Sequence, residues 1–484
     1  MQFQTLTYLF FVAIVFILFR AIPLRHRKIL LLAASMVFYC WFRWEFGLLL
    51  WFVILVSFYS TRAARNGPAL TAVSIVLVAA VLAFFKYFNF TADVANALYG
   101  MAGGAGKFDV WNVIVPVGIS FFTFQAISYV VDCARDPARK VGSLVDYALY
   151  ISFWPQLVAG PIMRSHEMVP QFNTMRRFSP DDFKEGCRRI IQGLFLKLVL
   201  ADGLISRFVD EGFLNYAGNT MLDNWALAFA FGLQIYFDFD GYCSIAVGSA
   251  LLFGCRLVEN FDFPYAAGNP REFWKRWHIS LSSWIRDYLY LPLTRTMVKR
   301  SRSSGGIETV EGRNGGATAL IRSKALFLSW AIMGFWHGAD WTFLLWGLWH
   351  AAVIQLYRFY LRLFPAVEWG ERPNRFLGRL TIIPTVALIM PGWIFFRADS
   401  VTQAFAMLAG LFSFSTLPRL GYLETYYLQV FLLTAGFYLV WFLKEAKVRL
   451  PRFHWLADAA LHAALALCVI AFFDREQPFI YFQF

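Results

Sequence analysis

The chain has 484 residues, 59% of them hydrophobic and 15% charged, with a net charge of +13. A soluble globular domain carries about 25% charged residues, so the composition excludes one. The basic excess fits cytoplasm-facing loops between membrane helices better than a nucleic-acid surface, and six scattered cysteines without a CxxC pair exclude a disulfide framework or a zinc signature.

Apolar runs recur from end to end. Leu6 to Phe19 comes first; no charged side chain precedes it and no small-x-small pattern follows, so it is expected to be a retained helix and not a cleaved signal. Ile29 to Tyr39, Phe46 to Tyr59, Ala69 to Phe85 and Val113 to Val131 follow, then Ala319 to Met333, Leu344 to Leu356, Leu380 to Phe396, Tyr426 to Leu443 and Leu456 to Phe473. Several reach the roughly 17–25 residues that span a hydrocarbon core. The expectation is an all-α polytopic membrane protein, a single transmembrane domain over 1–484 with about ten or more crossings.

Between these runs the chain changes character. "FWPQLVAGP" (Phe153 to Pro161) has a proline near each end, so its helix should break near the membrane, and broken backbone there faces protein or a water-filled cavity. Re-entrant helices around a central tunnel are therefore expected. Residues 164–189 are too polar to face lipid and predict interfacial amphipathic helices. Residues 295–324 form a basic cytoplasmic loop, whose Gly- and Ser-rich part, Ser301 to Gly316, is expected to be mobile. The clusters "RAIPLRHRK", "TRAAR", "ARDPARK" and "KEAKVRLPR" join that loop on the cytoplasmic side, which puts both termini outside the cytoplasm.

Three motif likenesses fail. "GGAGK" (Gly103 to Lys107) lacks the hydroxyl that holds magnesium in a phosphate loop, because Phe108 stands there. "HEMVP" (His166 to Pro170) has a proline where a zinc-protease helix needs its second histidine. "DFDGYCSIAVGS" (Asp238 to Ser249) lacks the later oxygen ligands of a calcium loop.

Ionisable residues inside apolar segments are the strongest functional signal, because they are costly there unless paired or wetted. In "GFWHGADWTFLLWGLWH" (Gly334 to His350), Gly334 and Gly338 mark a helix face open to close backbone approach, with His337 between them. Asp340 lies close enough to orient the imidazole. On one continuous helix His350 would lie about 20 Å further along and about 220° around, which makes it structural or interfacial. In "REFWKRWHISLSSWIRDYLYLPL" (Arg271 to Leu293), Trp274, Trp277, His278, Leu281, Trp284, Ile285 and Tyr288 follow helical spacing. His278 is either a satisfied group on an interfacial helix or a second polar group of a cavity where arginines hold an anionic ligand. In "LQIYFDFDGY", Asp238 and Asp240 are expected to pair with those arginines.

Taken in order, "VPVGISFFTFQAISYVVD", "FWPQLVAGPIMR", "LQIYFDFDGY", "EFWKRWHISLSSWIRDYLYLPL" and "GFWHGADWTFLLWGLWH" resemble the signature blocks of the membrane-bound O-acyltransferase family. The likeness is to its bacterial branch, which includes the membrane subunit of alginate O-acetylation. The resemblance implies acyl transfer from a cytosolic thioester to an acceptor reached from the other face, with His337 as the catalytic histidine and His278 as the second family histidine. Burial disfavours the charged imidazolium, leaving a neutral ring able to accept a proton. Arg276, Arg286, Trp277 and Trp336 are the candidate donor-binding residues. The donor is acetyl-CoA or another acetyl thioester, with no permanently bound cofactor and no metal expected.

The tail "PFIYFQF" (Pro478 to Phe484) resembles that of a small partner peptide in the D-alanine branch, whose tyrosine accepts the acyl group. By that analogy Tyr481 is an acyl carrier, the alternative being an interfacial aromatic anchor. The implied partners are an extracytoplasmic O-acetyltransferase subunit and the polysaccharide synthesis machinery, at the bacterial inner membrane. Direct transfer to an acceptor hydroxyl, or a transporter or channel without acyl chemistry, are the alternative functions.

Overall fold

The computed structural model describes residues 1–104, 108, 111–136, 142–175, 179–303, 316–364, 375–414, 424–446, 454–473 and 477–482. Among them every regular element is helical. Most of the stretch expected to be mobile, Ser301 to Gly316, lies outside the described residues, as do parts of "GGAGK", "ARDPARK" and "KEAKVRLPR". The chain divides into two compact units: Met1–Leu194 with Tyr242–Val258, and Phe195–Gly241 with Glu259–Phe484.

The first unit contains α1 (Leu6–Ala21), α2 (Arg27–Cys40), α3 (Trp44–Ala64), α4 (Pro68–Met101), α5 (Ile119–Arg135), α6 (Leu144–Ser152), α7 (Trp154–Leu157), α8 (Ser165–Asn173) and α9 (Pro180–Leu194). Thr5 caps α1 by accepting the Tyr8 N–H, and α4 starts with a proline at its first position, where no backbone donor is lost. The expected break in "FWPQLVAGP" is present: α6 ends at Ser152, α7 lasts one turn, and the chain then runs non-helical to α8. Gln156 satisfies part of that buried backbone by donating to the Tyr150 carbonyl at 2.6 Å. Gly118 enters α5 at φ 78°, where a Cβ would lie 2.8 Å from the Leu157 carbonyl oxygen, so both conformation and space call for glycine. Residues 164–189, expected to form interfacial amphipathic helices, contain α8 and the start of α9.

The second unit opens with a π-helical stretch, Phe195–Ile205, followed by α10 (Ser206–Leu214) and most of α11 (Met221–Leu252). It continues with α12 (Pro270–Arg276), α13 (Ile279–Trp284), α14 (Leu291–Ser303), α15 (Gly316–His337), α16 (Trp341–Leu363), α17 (Arg375–Leu380), α18 (Ile382–Arg397), α19 (Val401–Gly410), α20 (Glu424–Glu445) and α21 (His454–Phe472). Helices α15 and α16 are an antiparallel hairpin whose backbones touch through glycines.

Five described stretches are long and apolar enough to cross a bilayer: Trp44–Ala64, Pro68–Met101, Gly378–Arg397, Tyr426–Glu445 and Trp455–Phe472. Other apolar runs from the sequence fall in shorter helices, such as the 16-residue α1, or in long helices that carry ionisable groups, such as α15 with Arg322, Lys324 and His337.

Candidate active site

The segment Phe335 to His350 is not one helix. His337 ends α15, residues 338–340 turn the chain back, and Asp340 starts α16 by accepting the Thr342 N–H at 2.9 Å. Glycine just past a helix and aspartate just before the next are the chemistry of a stop and a start. This turn bears on two readings. Asp340 is a helix cap whose Oδ1 accepts the Thr342 N–H. His350 is not carried away along a straight axis, because α16 runs back beside α15: one ring, Trp346, packs 4.7 Å from His337 and 5.1 Å from His350. His350 is fully buried, with Trp274 at 4.9 Å and Trp330 at 5.8 Å as further neighbours.

The His337 side chain sits in an aromatic shell. Trp336 lies 4.8 Å away, Phe396 from the end of α18 5.4 Å, and Tyr481 5.5 Å between ring centroids. The tail thus reaches the histidine. Phe479 and Ile480 are buried, and Tyr481 is half-buried between Phe239 at 4.5 Å, Phe479 at 5.5 Å and Phe396 at 6.0 Å.

His278 is placed differently from the expectation of a continuous helix over 271–293. Helix α12 stops at Arg276, and His278 has a left-handed backbone, φ 42°, before α13 begins. Histidine tolerates this region better than most residues. The turn is held by Asn260, whose main-chain carbonyl accepts the Ile279 N–H at 2.9 Å and whose side chain accepts that of Ser280 at 3.1 Å. The buried His278 ring packs 4.7 Å from Phe239, the same ring that Tyr481 touches. The structure therefore brings His337 and Tyr481 together directly and links His278 to them through Phe239.

The four candidate donor-binding residues divide. Trp336 is against His337. Trp277 is buried in an aromatic layer with Trp393 at 4.8 Å and Phe261 at 5.0 Å. Arg276 is bonded to Glu272 at 2.5 Å, and Arg286 to Asp287 at 2.8 Å with its side chain mostly exposed.

Asp238 is not paired with these arginines. Its partner is Lys197, at 2.6 Å, which also bonds Asp202 at 2.9 Å; all three are buried. Lys197 and Asp202 both lie in the π-helical stretch, whose i→i+5 bonding brings residues five apart into line. On an α-helix they would diverge by about 140°. Reading for motifs missed both. The available signal was a lone lysine in the apolar "LFLKLVL", where a charge needs a partner.

A cavity of about 300 Å³ borders this cluster. Asp202, Gln234, Asp340, Thr342 and Phe396 line it together with Gln477, Pro478 and Ile480 of the tail. Arg397, which bonds Asp210 at 2.9 Å and Asp399 at 3.4 Å, marks its polar rim. Phe396 faces the cavity and also touches both His337 and Tyr481.

Comparison with known proteins identifies the family of the chain. The model of MBOAT, the membrane-bound O-acyltransferase family, matches residues 71–310, a stretch that includes His278. The probable alginate O-acetylase of Azotobacter vinelandii is 37% identical, covering 84% of this chain and 77% of its own length. The peptidoglycan O-acetyltransferase of Helicobacter pylori is 31% identical over 79% of this chain and 73% of that protein. A teichoic acid D-alanyltransferase of Bacillus subtilis is 27% identical over 59% and 69% respectively. The chain belongs to the membrane-bound O-acyltransferase family and is a multi-pass membrane O-acyltransferase.

Proposed function

We propose that the enzyme takes an acetyl group from a cytosolic thioester, acetyl-CoA, onto the Tyr481 phenol, and that an extracytoplasmic partner then passes it to hydroxyls of an exopolysaccharide such as alginate. The observation that carries this reading is the 5.5 Å separation of the Tyr481 and His337 rings within one aromatic cluster. A phenol is a weak nucleophile until a base sits beside it, and an imidazole is that base. His337 removes the phenolic proton as the oxygen attacks the thioester carbonyl. A C–O bond forms, the C–S bond breaks, and the thiolate leaves with the proton that His337 returns. The aryl ester left on Tyr481 is an activated donor; an acceptor hydroxyl attacks it, takes the acetyl group and restores the phenol.

The relatives support the acceptor class, since one is named a probable alginate O-acetylase, one a peptidoglycan O-acetyltransferase and a third a teichoic acid D-alanyltransferase. We assign the enzyme to the bacterial inner membrane, with its basic loops and the thioester on the cytosolic side and both termini outside. The test is to incubate the full-length protein in lipid nanodiscs with radiolabelled acetyl-CoA and map the label. The expected result is an ester on the carboxyl-terminal peptide, absent in Tyr481→Phe. Thioester consumption with acceptor acetylation but no labelled peptide would establish direct transfer instead, and solute flux without CoA release a transporter.

A further inference from the structure

The tail is held in place by its main chain. The N–H of Gln477 donates to Asp202 Oδ2 at 3.0 Å and that of Ile480 donates to Asp238 Oδ2 at 2.8 Å. Both carboxylates are held by one ammonium, Lys197 Nζ, at 2.9 and 2.6 Å. The lysine and both aspartates have side chains no more than 3% exposed. Two carboxyl groups share one ammonium, and buried carboxyl oxygens are stable only when hydrogen-bond donors reach them. The two tail N–H groups do that, as charge-assisted bonds that are stronger than neutral ones.

We propose that Lys197, Asp202 and Asp238 form a two-point clamp that reads the main chain of the tail and sets the register that puts Tyr481 against His337. The three are positioning residues: none needs to touch the acyl group. Lys197 fixes the spacing between the two acceptors, and the acceptors fix residues 477 and 480. Because the bonded groups are backbone N–H donors, the clamp is indifferent to the side chains it holds. It is sensitive instead to the loss of a donor or to a shift by one residue. This inference rests on the carrier reading for its purpose, but not for its test.

The test removes the donor on the tail and leaves the clamp intact. Ile480 begins a short 3-10 turn, Ile480–Phe482, where proline is sterically acceptable but has no N–H. Carboxypeptidase digestion of the full-length protein in nanodiscs, followed by mass spectrometry, reads how well residues 480–482 are protected. The native tail, Ile480→Val and Tyr481→Phe should all resist trimming. Ile480→Pro and Lys197→Met should lose those residues at least tenfold faster, with the rest of the chain still folded by tryptophan fluorescence. A Lys197→Met protein that does not fold leaves Ile480→Pro to decide. Ile480→Pro trimmed no faster than Ile480→Val, or a native tail trimmed freely, overturns the clamp. If Tyr481→Phe is protected yet the native protein never carries an acyl ester, the carrier reading fails while the clamp stands.

Discussion

Gly334 and Gly347 are in backbone contact across the α15–α16 hairpin: a Cβ on Gly347 would lie 3.3 Å from Gly334 Cα and overlap the Trp330 carbonyl oxygen. This contact lets α16 fold back and brings Trp346 onto His337. Gly347→Val should push the helices apart at a cost of about 1–3 kcal/mol, the usual range for overpacking a tight interior. It should also reduce acyl transfer more than thermal stability alone explains, because Trp346 moves. Thermal unfolding in detergent together with CoA release at a temperature well below the midpoint separates the two effects.

Asp340 gives a second prediction, of opposite character. As a cap accepting the Thr342 N–H it is replaceable by another capping residue. Asp340→Ser should stay within a few tenths of a kcal/mol of the native stability, and Asp340→Ala should lose about 1 kcal/mol. An orienting partner of His337 would show the reverse emphasis: small stability changes and a large loss of rate in both variants. Denaturation and initial-rate measurements on the same preparations decide between them.

His278 allows a third. At φ 42° a β-carbon next to the backbone is strained, and asparagine or glycine accommodates that region better than alanine. His278→Asn and His278→Gly should therefore exceed His278→Ala in unfolding midpoint, although all three remove the ring from Phe239. If alanine is as stable as asparagine, the left-handed turn is not what constrains this position.

These residues show where the sequence was legible and where it was not. The helical membrane class follows from composition alone, and the break in "FWPQLVAGP" follows from its prolines, because both signals are local. Gly338 and Asp340 carried an equally local stop-and-start signal, but the surrounding tryptophans and leucines continued a plausible helical face across it. The turn at His278 has no glycine or proline to mark it; its cause is Asn260, eighteen positions earlier. The Lys197 cluster was invisible for a similar reason. Its members come from a π-helical stretch, from α11 and from the tail, and only the folded chain brings them together. The candidate pair His337 and Tyr481 came from family likeness, and no periodicity in the chain would have connected residues so far apart.

The last prediction concerns the imidazole itself. If His337 takes the proton from the attacking oxygen, its contribution should match that of a positioned general base, about 10²–10⁴-fold in rate. Glutamine fills much of the same space and keeps hydrogen-bonding capacity but cannot accept a proton at neutral pH. His337→Gln should accordingly lower kcat by about two to four orders of magnitude while leaving the KM for acetyl-CoA within about threefold. Tail protection against carboxypeptidase should be unchanged, since Asp202 and Asp238 still hold Gln477 and Ile480. A raised KM with an unchanged kcat would assign the ring to donor binding, and an unprotected tail would mean that the aromatic contacts around His337, and not the carboxylates, dock Tyr481.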